Sequence, residues 1–234
     1  MSLADKPPRA PGLRPSLGAI AVLRTGRGDL TMKDRSGVPR HAGLPRDRVV
    51  PGLTLMELDC SMTPNLPEPF HQLLRALFEA WPVDRAMSRL VVDSPDEAAP
   101  VDEVERLLAT PELADRPELA AGLWLYVDEL DRSHGVSQKI ASPTGSYWHA
   151  IMHRREGDFS NSHYWFRRTG WHPAMGRIDT AGGGAGSGTE IGHYDAHEFV
   201  DRVERASQRG GDWPELVSLQ RREWTALFEW CAEQ

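Results

Sequence analysis

Apolar positions along this chain follow two regimes. From Pro64 onward they recur with a helical period. Phe70, Leu73, Leu74, Leu77, Phe78 and Trp81 share one face of a helix that Pro67 and Pro69 open. Val101–Leu108 is a second, shorter helix, stopped by Thr110-Pro111. Pro117 suits the first turn of a third, whose apolar stripe continues to about His134. A fourth runs from Pro143 to Glu156 with Ser142 or Thr144 as its cap, and Gly157 ends it. Asp158 then caps a fifth, Phe159–Arg168, which Gly170 and Pro173 close. The last two are Asp195–Gln208 and Asp212–Ala232. Before Pro64 the helical period is absent. Residues 1–16 read as a flexible proline-rich tail, Gly18–Met32 as a hairpin about Thr25–Gly28, and Val49–Leu58 as a strand interrupted by Pro51. The expected fold is mostly α. It is a single helical-bundle domain over 17–234, with an irregular or partly β N-terminal segment and a glycine-rich loop at about 175–192.

Composition narrows the classes. The 234 residues carry 27 Lys+Arg against 34 Asp+Glu, a formal charge of −7, which argues against a nucleic-acid binder. The longest apolar run is Leu119–Val127, far short of the ~20 residues of a spanning helix. The first residues have no apolar core, so no secretory signal is expected and the location read from sequence is cytoplasmic. Cys60 and Cys231 make neither a disulfide framework nor a zinc knuckle.

Chemistry-bearing side chains concentrate between Gly145 and Pro173, which hold four of the nine histidines. On a helical wheel His149, His153 and Glu156 fall within about 60° of arc. That spacing places two imidazoles and a carboxylate together as ligands for zinc or another transition-metal ion. The apolar residues Tyr147, Trp148, Ile151 and Met152 lie on the other side, so the same wheel also suits a solvated stripe in which His153 and Glu156 form an i, i+3 pair. His134 falls on the apolar stripe of the 117–134 helix with Asp131 at its edge. It reads either as a satisfied core histidine or as a catalytic base oriented by Asp131. Glu223 sits among Leu216, Leu219, Trp224 and Leu227, where a carboxylate is either paired with an internal arginine or kept for catalysis or a metal. Arg155, Arg167, Arg168 and Tyr164 are candidates for holding an anion.

The block Tyr147-Trp-His-Ala-Ile-Met-His-Arg-Arg-Glu156, followed by Asn161 and Tyr164-Trp-Phe-Arg-Arg168, resembles a mainly bacterial protein family of no assigned activity. The likeness extends back to Ala121–Tyr126 and Asp131–His134 and forward to Gln220–Trp224, roughly half of the chain. The resemblance implies no mechanism. From the residues, the expected function is that of an enzyme or small-molecule binder. Its His-, Glu- and Arg-lined pocket would lie between helices, be metal-dependent if an ion is held, and take an anionic ligand. The alternative is a tetratricopeptide-like hairpin for protein interaction, of which one copy is readable.

Overall fold

A computed structural model describes residues 63–178, 194–211 and 213–234. The expected N-terminal tail, hairpin and strand, Cys60, and most of the glycine-rich loop lie outside the described residues. Ten α-helices follow in order: α1 (Phe70–Ala80), α2 (Val83–Ala86), α3 (Val101–Leu108), α4 (Pro111–Ala114), α5 (Pro117–Tyr126), α6 (Leu130–Ser137), α7 (Pro143–Glu156), α8 (Phe159–Thr169), α9 (Ala196–Gln208) and α10 (Pro214–Ala232). The described residues form no strand, and the architecture is the expected mostly α bundle. No helix among them is long and apolar enough to cross a membrane.

The caps follow the sequence. The Ser142 hydroxyl accepts from the Gly145 amide at 3.2 Å at the start of α7. Gly157 ends that helix in the left-handed region (φ 83°), where glycine pays no Cβ penalty. The Asp158 carboxylate caps α8 through the Asn161 amide at 3.2 Å. Asp195 caps α9 in the same way. The start of the expected glycine-rich loop is instead a 3₁₀ turn, Pro173–Arg177. It is tied to α7 by His172, whose Nε2 meets the Thr144 hydroxyl at 3.2 Å.

One expected element is corrected. The helix from Pro117 does not run on to His134. It stops at Tyr126, and a new helix starts at Leu130. Between them Asp128 adopts φ 61°, a left-handed conformation that breaks the α-helical backbone at that position. Its carboxylate is held there by Arg155 Nη2 at 2.6 Å and by Arg89. Aspartate is among the residues that tolerate this region, and two charge-assisted contacts hold its carboxylate in place there.

Helix α7 is the central rod. It packs against α5, α6 and α8, and residues 144–155 are all buried. Two serines let its neighbours come close: Ser162 Oγ donates to the Ala150 carbonyl at 2.8 Å, and Ser133 Oγ donates to the Ala121 carbonyl at 2.9 Å. On the far side an aromatic stack of Phe78, Tyr126, Trp224 and Phe228 fills the space between α1, α5 and α10. Gly122 makes that approach possible, since a Cβ there would stand 2.8 Å from the Phe228 ring and 3.0 Å from Trp148.

Candidate metal centre

Helix α7 delivers His149 and His153 one turn apart on one face, as the spacing predicts. The face is not solvated. Helix α6 lies across it and brings His134, and α8 covers its flank with Trp165. His149 is 2% exposed and His153 8%. The potential ligand nitrogens of His134, His149 and His153 all lie within 4.8 Å of one another. The rings of His149 and His153 are nearly parallel at 4.8 Å, and His134 stands edge-on to both at 4.6 and 5.5 Å. Three nitrogens about 2.1 Å from a tetrahedral ion stand about 3.4 Å apart, so an ion would draw these nitrogens somewhat closer together.

His149 is the unusual member. Neither ring nitrogen has a hydrogen-bond partner among the described residues. A buried imidazole with no partner costs roughly 1–3 kcal/mol per unmet group, and such groups are rare. Burial first, then the neighbouring His153 and His134, push its pKa down to about 3. It is therefore neutral at pH 7, with a lone pair free for a cation. Burial also lowers His153, partly offset by Glu156, whose Oε2 lies 3.1 Å from His153 Nδ1. With Nδ1 donating in that bond, His153 Nε2 is the nitrogen that could face an ion.

Several expected roles change. Glu156 stands outside the close group of potential ligand atoms, as an exposed carboxylate beside His153 Nδ1, and His134 completes that group instead. Asp131 does not orient His134. It is exposed, because the break at Asp128 changes the phase of α6 relative to α5. Asp131 and Glu156 instead share a cleft of about 200 Å³ with Asp93, Asp128 and Glu129. Glu223 is not a free catalytic carboxylate. It is fully buried, and Arg154 grips it through its two terminal guanidinium nitrogens, one at 3.0 Å, while the Tyr194 hydroxyl donates to it as well.

The anion clamp comes apart too. Arg155 is fully buried, and its two terminal nitrogens donate to Asp128 and to the Leu125 carbonyl, each at 2.6 Å. Arg167, Arg168 and Tyr164 lie on the exposed side of α8, with Arg168 over the Tyr164 and Trp165 rings at 5.9 and 5.3 Å.

A second histidine group escaped the sequence reading. His163 on α8 meets His197 on α9, Nδ1 to Nδ1, at 2.8 Å, and Asp201 Oδ1 lies 3.1 Å from His163 Nε2. The ring centroids are 5.1 Å apart with planes 8° from parallel, so the rings lie edge to edge with one proton shared between the facing nitrogens. The signal was the i, i+4 pair His197 and Asp201, but nothing local to α9 shows that His163 lies opposite.

Compared with family models, curated proteins and solved structures, the chain gives no match.

The lowered histidines fix the pH dependence of the metal-free protein. Burial lowers His149 to about 3 and His172 to about 4, and lowers His153 and His197 as well. Above the ordinary histidine pKa of about 6.5 both folded and unfolded chains hold these rings neutral. Below it the unfolded chain takes up protons that the folded chain refuses, so stability falls as pH drops from about 6.5 toward 4. Urea unfolding at pH 7.5 and pH 5 should give a clearly lower midpoint at pH 5. An equal or higher midpoint would contradict the burial of these neutral rings.

Proposed function

We propose that this protein is a metal-dependent enzyme or small-molecule binder whose zinc or other transition-metal ion sits between His134, His149 and His153. The observation that carries this reading is His149: a neutral, buried imidazole with neither nitrogen partnered, facing two further imidazoles. A cation there would partner one of the two His149 nitrogens that the fold leaves unmet. Three neutral nitrogens are the ligand set of a site with one coordination position left for water or substrate. Such an ion lowers the pKa of its bound water to about 7 and polarises a coordinated oxygen.

Three neutral ligands leave the ion's double charge in place. The small anion expected from sequence, a carboxylate or phosphate, would therefore bind to the ion itself rather than to paired arginines. The interaction-hairpin alternative would have to use the exposed side of α8, since α7 is buried from 144 to 155. The test is spectroscopic. Protein loaded with one equivalent of Co²⁺ should show a visible spectrum that changes on titration with phosphate or acetate. A spectrum indifferent to both anions would reject the open position.

A further inference from the structure

We infer that Trp165 is the positioning residue for His149, doing by ring stacking what Glu156 does for His153 by a hydrogen bond. This rests on the reading of the three histidines as a metal centre. Ligating histidines are normally oriented through their second nitrogen, by a carboxylate, a carbonyl or water. His153 has such a partner in Glu156, and His149 has none. A buried ring without hydrogen bonds is held by packing, and its broadest contacts are on its faces. One face of His149 lies against the Trp165 indole, with centroids 4.0 Å apart and planes at 15°. The His153 ring lies nearly parallel at 4.8 Å and 17°.

The stack continues outward. The Arg168 guanidinium lies 5.3 Å from the centre of the Trp165 ring, and the Tyr164 ring meets that indole edge-on at 5.4 Å. Arginine, tyrosine and the Ser162 anchor all belong to α8, so the indole is braced by the helix that carries it. Stacking fixes the plane of the imidazole and leaves both nitrogens in the ring's edge, free for an ion. Trp165 is half-buried, so it is also what separates His149 from solvent on this side. The role accounts for an aromatic at the heart of the Tyr164-Trp-Phe166 run that neither lies in the main core nor is fully exposed.

The experiment compares Co²⁺ binding by the wild type, Trp165→Leu and Trp165→Phe. The leucine change removes the stacking plane and should weaken Co²⁺ about tenfold or more, the usual loss when an outer support of a ligand is removed. It should also alter the visible absorption of the bound ion, which a purely structural role would not do. Phenylalanine restores a flat ring and should return both affinity and spectrum close to the wild type. A Trp165→Leu protein that binds Co²⁺ with wild-type affinity and spectrum overturns the inference while leaving the metal centre standing. A wild type that binds no Co²⁺ overturns the metal centre itself. Should Trp165→Leu fail to fold, proton NMR of the wild type decides. The His149 ring protons, lying over an indole, should be shifted strongly upfield and stay so when Zn²⁺ is added. Loss of that shift on adding Zn²⁺ would show that the ring leaves the stack to bind, and would reject the inference.

Discussion

Glu223→Gln is expected to destabilise the protein by about 3–5 kcal/mol, the loss typical when one partner of a buried ion pair is removed. For a domain of this size that lowers the melting temperature by roughly 10 °C or more. The reason lies in the surroundings. Arg154 is as fully buried as Glu223 and lies over the Phe199 ring at 4.2 Å, with no water-facing side to which its charge could turn. The pair joins α7 to α10 across 69 residues of sequence, and Tyr194 adds a third group from the start of the α9 segment. Glutamine keeps the shape and loses the charge, so the guanidinium is stranded. Zinc affinity of the folded fraction should not change, because Glu223 faces Arg154 and Tyr194 rather than the histidines. Thermal denaturation beside a zinc titration checks both halves. A stability change near zero with impaired binding would return Glu223 to the functional site.

His149→Leu is expected to do the reverse. The substitution replaces an unpartnered buried imidazole with an apolar side chain of similar reach. It removes two unmet polar atoms from a site walled by Trp165, so the metal-free protein should be as stable as the wild type or more stable, by about 1 kcal/mol. At the same time zinc binding should be lost, since two nitrogens do not make a tight site. Urea unfolding of the two metal-free proteins measures the first effect, and zinc titration the second. A marked loss of stability with unchanged zinc binding would mean that His149 is a packing residue.

Much of the fold was legible because the signals were local. The stripe from Phe70 to Trp81, the Ser142 and Asp158 caps and the Gly157 stop each act within one helical turn, and α1, α7 and α8 lie where those residues put them. The break at Asp128 was not legible. Leu119–Val127 is a continuous apolar run, and the distortion is set by Arg89 and Arg155, 39 and 27 residues away.

The site shows the same division. His149 and His153 were readable as an i, i+4 pair, whereas their third partner depended on where α6 crosses α7. His134 was therefore matched to Asp131 on its own helix instead. Adjacent arginines diverge on a helix, so sequence offered no reason for both Arg154 and Arg155 to be internal. They are, because α7 is buried all round and a separate carboxylate meets each one.

The central claim, an ion among His134, His149 and His153, meets its most direct test in isothermal titration of the chelator-stripped full chain with Zn²⁺ at pH 7.5. The account predicts one ion per chain, bound tightly, and its loss in the His149→Ala, His153→Ala double variant, whose circular dichroism stays helical. No stoichiometric binding by the wild type, or equal binding by the double variant, would contradict it.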